Sequence, residues 1–209
     1  MRRAALGLLC VLAVVVGGCS LSDSGILYEE TWSDAATTEW YTGDSELNTV
    51  WIEDGRYHDL VKQATTMMNW NSDAGTFANA QFDVDVKHEA GTNNLSAGGL
   101  VFRFTDVENT YIFQVSASGY FRVGRWVADV WTTIVNWTAS DAIHTGTDEE
   151  NHLTVLADGT SLTFLINRTE VAEITDASFS TGYVGVTVQA FDENVDVEES
   201  FDNLVVRKL

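Results

Sequence analysis

The sequence predicts an all-β protein built as a two-sheet antiparallel sandwich, and three observations carry that expectation. Apolar residues recur at every second position, as in Phe82, Val84 and Val86 set between Gln81, Asp83 and Asp85, which is the alternation of half-buried strands. Short turn signals separate such runs at Asp54-Gly55, Asp158-Gly159 and Asn167-Arg168, residue pairs that tolerate tight hairpins. No stretch carries a convincing 3.6-residue apolar period, and 7 Trp with no Pro in 209 residues suit packed strands better than a disordered chain.

The first residues stand apart from this pattern. Arg2 and Arg3 precede an apolar run from Ala4 to Val16, followed by Gly17, Gly18 and Cys19, the layout of a secretory signal. The run is too short to span a bilayer about 30 Å thick. A Cys directly after two glycines resembles a bacterial lipobox, with Val16 where Leu is usual and Gly17 where Ala or Ser is usual. Residues 1–18 are therefore expected to be a lipoprotein signal peptide and 19–25 a lipidated Cys19 with a short tether. Residues 26–209 form one domain, long enough for a sizeable core. The expected location is the extracytoplasmic face of the cell membrane, where acyl chains provide the hold on the lipid bilayer.

Loss of Arg2 and Arg3 takes Lys plus Arg from 11 to 9 against 31 acidic residues, and the formal charge from -20 to -22. Such a surface repels nucleic acid and anionic membranes, and its simplest role is solubility. Cys10 leaves with the signal, so the single remaining Cys carries lipid and no disulfide supports the fold.

Within the domain, ILYEETW opens the first strand at Ile26 and NTVWIEDGRYHDLV reads as a hairpin, followed by TTMMNWNS and the alternating TFANAQFDVDVKHE. The stretch Gly98 to Trp137 reads as four consecutive strands, with turns expected at Asp106 to Asn109, Ser118-Gly119 and Ala128-Asp129. In that register one face carries Leu100, Phe102, Phe104, Tyr111, Phe113, Tyr120, Trp126, Trp131 and Trp137, interrupted by Arg122, Gly124 and Thr133. Aromatics of this size favour burial, so this is the expected core side. The opposite face carries Arg103, Gln114, Phe121, Val123 and Arg125. NHLTVLADGTSLTFLINRTEVAEIT, SFSTGYVGVTVQAF and VEESFDNLVVRKL supply the remaining strands, roughly a dozen in all.

Taken in order, GLVFRF, TYIFQVSASGYFRVGRW, WTTIVNWTAS, NHLTVLADGTSLTFLIN, STGYVGV and FDNLVV resemble the laminin G-like and concanavalin A-like jelly rolls. The likeness is greatest to the 3-keto-disaccharide hydrolase-like group found in bacterial lipoproteins, and it runs from about Ile26 to Leu209. It implies a jelly-roll sandwich of two curved sheets, with a concave face that binds sugars in several relatives. Asn167-Arg168 departs from the Asn-Gly usual in relatives; Asn still tolerates the left-handed turn position. The resemblance also implies a structural Ca2+ held by an Asp of the last strand and backbone oxygens of the first strand and an early glycine turn, which fall on Asp202, Glu30 and Gly55. No other cofactor is expected.

Arg103, Gln114 and Arg125 on the non-core face, with Gln189 in a later strand, are the candidate ligand residues, because planar guanidinium and amide groups suit sugar hydroxyls and carboxylated sugars. The same arginines also suit ion pairs with the many acids. Trp70, Trp126, Trp131 and Trp137 are the tryptophans placed nearest a groove or rim. Asp83 with Asp85, and Asp196 with Glu198, project about 7 Å apart on single strands, but alternating acids are expected on an exposed strand of so acidic a chain. His58, His88, His144 and His152 form no zinc or nucleophile motif. Three functional readings remain: a non-catalytic binding module with a glycan or polysaccharide as its partner, a structural or protein-interaction domain of the cell envelope, and a glycoside-processing enzyme.

Overall fold

Hairpin chemistry orders the strands. The computed structural model describes residues 25–91, 96–194 and 196–209. Cys19, the signal segment 1–18 and residues 19–24 of the tether lie outside the described residues. The strands are β1 (Ile26–Glu30), β2 (Gly43–Asp44), β3 (Asn48–Glu53), β4 (Arg56–Val61), β5 (Thr66–Trp70), β6 (Ala80–Ala90), β7 (Ser96–Asp106) and β8 (Asn109–Ser116). They continue with β9 (Tyr120–Val127), β10 (Val130–Ala139), β11 (Glu150–Asp158), β12 (Ser161–Ile166), β13 (Thr169–Thr175), β14 (Tyr183–Ala190) and β15 (Val197–Arg207). One sheet runs β13-β12-β11-β6-β15-β4-β3-β2, with β1 also on β15; the other runs β10-β9-β8-β7-β14-β5. All pairings are antiparallel. This is a concanavalin A-like jelly-roll sandwich.

Where turn chemistry is unambiguous, the expected register holds. Asp54-Gly55, Ala128-Asp129 and Asn167-Arg168 all have positive φ at both positions, the geometry that matches strand twist in a two-residue hairpin. The β8–β9 turn differs from expectation. Ser116 pairs with Tyr120, so the loop is Ala117-Ser118-Gly119, three residues long, with Gly119 at φ 90° and its N–H bonded to the Ser116 carbonyl at 3.0 Å. One extra loop residue moves every later side chain to the other face. Phe121 and Val123 therefore enter the core, while Tyr120, Arg122, Gly124 and Trp126 turn outward.

A second irregularity lies in β7. Val101 pairs with Gly185 and Phe104 with Tyr183, leaving one extra residue on β7, and Arg103 in this bulge has φ 48°. The bulge bends the strand and reverses its parity. Phe104 consequently leaves the core side and meets Trp70, ring centroids 4.4 Å apart.

Between the sheets, Phe82 and Phe164 of the nine-stranded sheet meet Phe102 and Phe113 of the six-stranded one at centroid distances of 5.1–6.1 Å. Val184, Val186 and Val188 complete that layer. Trp32, Trp40 and Tyr57 form a second aromatic group, with centroids 5.1–5.3 Å apart. One carboxylate sits inside. Asp59 on β4 accepts from Asn48 on β3 at 2.8 Å and from Asn69 on β5 at 2.7 Å, tying the two sheets together. Burial, opposed by those two bonds, pushes its carboxyl up to about 6.

Candidate functional site

The outward face of the six-stranded sheet is set by pairs that share a side: Gly99 with Gln114, Gln114 with Arg122, Gly124 with Thr133, and Trp126 with Trp131. Glycines lower its floor. A Cβ on Gly99 would lie 2.0 Å from the Phe113 carbonyl oxygen, one on Gly185 2.3 Å from that of Asn69, and one on Gly124 2.2 Å from the Trp131 ring. Side chains are thus excluded at these three positions, and the Trp131 indole lies across Gly124.

Arg122 stands in the centre of this face. Its Nε donates to Gln114 Oε1 at 2.9 Å, and its Nη2 donates to Gln189 Oε1. Its guanidinium carbon lies 4.8 Å from the ring centroids of both Trp131 and Trp137, and 5.8 Å from that of Phe191, within reach of cation–π attraction. Loss of water around the group lowers its pKa to about 10. Two hollows open beside it. One, of about 260 Å³, is lined by Thr66, Ile112, Arg122, Trp126, Trp131 and Gln189. The other, of about 300 Å³, is lined by Ser116, Ser118, Tyr120, Trp137 and Phe191. Together they form a groove with aromatic walls and a polar centre.

Of the four ligand residues expected from sequence, the structure brings Gln114 and Gln189 together and leaves the two arginines elsewhere. Arg103, fully buried, donates to the backbone carbonyls of Phe179 at 2.9 Å and Ala78 at 3.2 Å. Arg125 pairs with Asp176, whose other oxygen accepts from the Tyr111 hydroxyl at 2.5 Å. The bulge removes Arg103 from the groove and the three-residue loop removes Arg125. That same loop delivers Arg122, which the expected register had placed among the core aromatics. Trp126, Trp131 and Trp137 do line the groove, and Trp70 lines a further hollow with Tyr41, Met68 and Asn69 on the β5 side.

Asp202, Glu30 and Gly55 come to one region, because β1 ends opposite Leu204 and β4 pairs with β15 up to Phe201. The Glu30 carboxylate accepts from Trp32 N at 2.8 Å and Thr38 Oγ1 at 3.2 Å, and the Asp202 carboxylate from Asn203 N at 2.7 Å. Among the described residues no group of three or more His, Cys, Asp or Glu is arranged to hold a metal.

Three of the histidines, isolated in sequence, sit on acids. His58 meets Glu198 at 2.9 Å and the buried His88 meets the buried Glu199 at 3.0 Å. On the outward face of the nine-stranded sheet, His152 lies 2.6 Å from Asp85 and 3.5 Å from Asp83. Hydrogen bonding to Asp83 and then Asp85 raises His152 to about 9. Burial alone would raise both carboxyls, but their bonds to His152 and neighbouring donors leave them below the usual carboxylate range. The acids of the expected Asp83/Asp85 pair thus share one imidazolium, and the partner 67 residues away was invisible to motif spacing.

The same fold occurs in the carbohydrate binding module CBM66 from Bacillus subtilis, with TM-score 0.65 and 17% identity over 82% of this chain and 96% of that one. A Bacillus subtilis protein of unknown function with a galectin-like fold matches with TM-score 0.63 and 12% identity, over 88% and 96% of the two chains. The Bacillus licheniformis beta-glucanase matches with TM-score 0.62 and 9% identity, over 90% and 100%. These likenesses concern the fold. No curated protein sequence is significantly similar to this one. The model of the 3-keto-alpha-glucoside-1,2-lyase-like domain spans residues 21–207, which takes in every strand of the sandwich, and the chain belongs to that family.

Proposed function

We propose that this chain is a non-catalytic carbohydrate-binding module, held at the cell surface through lipid on Cys19, with the Arg122 groove as its sugar site. The carrying observation is the arrangement of Arg122, Gln114 and Gln189 between Trp131, Trp137 and Phe191. A pyranose presents an apolar C–H face that suits an indole and a rim of hydroxyls that suits fixed donors and acceptors. Among the described residues neither hollow is lined by Asp, Glu or His, so these residues do not supply there the pair of carboxyl groups that most glycoside cleavage uses. The Bacillus subtilis module of similar fold is described as carbohydrate-binding, which supports the same role here.

A glycan array probed with residues 20–209, beside Trp131→Ala, tests the reading. Binding by the parent chain that is lost in the variant, with both melting alike, is the expected result. An empty array would favour a structural or protein-interaction domain of the envelope. Incorporation of labelled palmitate, abolished by Cys19→Ser, tests the anchor.

A second reading, acid–base chemistry on a glycoside, is favoured by the family description and by the Asp83–His152–Asp85 cluster. Its chemistry would lie on the other sheet. Consumption of a 3-keto-glucoside by the parent chain and not by His152→Gln would replace the binding reading.

A further inference from the structure

Among the described residues no acid answers the positive charge in the groove. This chain carries 31 Asp and Glu residues against 11 Lys and Arg, and its other shielded arginines find partners. Arg56 lies 2.7 Å from Glu150, Arg207 lies 3.5 Å from Asp83, and Arg125 pairs with Asp176. Arg103 donates to two backbone carbonyls. Arg122, half-buried, has only two neutral amide oxygens and aromatic rings, and among the described residues no carboxylate pairs with it. Taking a charge out of water without a counter-charge is costly, and burial lowers its pKa.

The surrounding amides fix the guanidinium's pose without neutralising it. Gln114 turns its oxygen to Arg122 Nε while its own Nε2, buried, has no acceptor among the described residues. A guanidinium has five N–H donors in a planar fork. Nε and one N–H of Nη2 are held by Gln114 and Gln189, which leaves Nη1 uncommitted among the described residues. The fork is therefore oriented, flanked by two indoles, and short of an acceptor.

We infer that the groove takes a sugar bearing an anionic group, a carboxylate or a sulfate ester, which pairs with Arg122 between Trp131 and Trp137. The inference rests on the groove being the sugar site and names the chemical class of its ligand. The net charge of -20 does not oppose it at short range. Charges farther than about 8 Å are largely screened at physiological ionic strength, and among the described residues no acid lines either hollow. Charge-assisted bonds to an oriented guanidinium are stronger than neutral ones, whereas the distant acids disfavour long polyanions. The ligand is thus a short oligosaccharide, or the acidic end of one.

The test is calorimetric titration of the full-length chain in neutral detergent. The probes are trigalacturonate, trimannuronate and a carrageenan tetrasaccharide, each beside its neutral form made by methyl esterification or desulfation. At least one acidic probe is expected to bind about tenfold or more tightly than its neutral form; uronates and sulfates separate the two sources of charge. Gln189→Glu, which sets a carboxylate beside Arg122 Nη2, is expected to abolish that preference while raising the melting temperature. Equal binding of acidic and neutral forms, lost in Trp131→Ala, would overturn the anion while leaving the sugar site intact. Binding of none of the probes, acidic or neutral, would overturn both.

Discussion

Gly124→Ala isolates the groove from the fold. A Cβ at this position would sit 2.2 Å from Cη2 and 2.3 Å from Cζ2 of Trp131. Carbon atoms rest about 3.5–4.0 Å apart, so the indole must retreat by about 1.3 Å or more. It has somewhere to go: Trp131 is half-buried and β10 is an edge strand. The overpacking cost should therefore be at the low end, about 1 kcal/mol, and the lost backbone freedom of Gly offsets part of it. Binding suffers more, because the ring that moves is the plate 4.8 Å from the Arg122 guanidinium. Thermal melting should shift by a few degrees at most, acrylamide should quench tryptophan fluorescence more strongly, and affinity for the tightest-binding array glycan should fall about tenfold. Loss of more than about 3 kcal/mol of stability would refute the claim that Trp131 is free to swing. Displacement of the ring with affinity unchanged would remove Trp131 from the site.

Three further outcomes follow from the same geometry. The Asp83–His152–Asp85 cluster should make stability fall as pH rises from 6.5 through about 9, because the raised imidazolium pKa contributes fully only below the unfolded value. With the ring more than a third open to water the effect is about 1 kcal/mol, and urea titrations at pH 6 and pH 10 should show it shrinking in His152→Gln. Arg125→Met strips Asp176 of its counter-charge. It should cost roughly 2 kcal/mol by urea denaturation, below the range for fully buried pairs, with glycan affinity unchanged since Arg125 faces away from the groove. Arg168→Gly should stabilise by about 1 kcal/mol in thermal melts, because Arg168 holds φ 69° in a tight turn that glycine adopts without strain.

The strands and most hairpins were legible in sequence because their causes are local. Phe82, Val84 and Val86 alternate with acids, and Ala128-Asp129 or Asn167-Arg168 need only their own backbones to turn. The β8–β9 loop was not legible in that way. Ser118-Gly119 can sit in a two-residue or a three-residue turn, and the choice is made by what the next strand buries. The two-residue reading would have buried Arg122 and left Phe121 and Val123 in water. Its poor match to a core was already written in Arg122, Gly124 and Thr133, the three interruptions of the aromatic face. Histidine partners were hidden for another reason. Glu198, Glu199 and Asp85 lie 140, 111 and 67 residues from their histidines, and only strand pairing brings such distances together.

Two register devices account for the site. The bulge at Arg103 takes a cation off the outward face and sends Phe104 there to meet Trp70. The loop Ala117–Gly119 takes Arg125 off the same face and replaces it with Arg122, Gly124 and Trp126. Without either device the face would carry Arg103 and Arg125, and the tryptophans of β9 and β10 would be forced between the sheets. With both, the inner faces of β8 and β9 fill with Tyr111, Phe113, Phe121 and Val123, and Trp126, Trp131 and Trp137 are released to the surface around a guanidinium that pairs with no carboxylate among the described residues. A sandwich needing only stability gains little from half-exposed indoles and a desolvated cation. Their placement on a glycine-lowered floor is instead what the proposed binding of a charged sugar would use.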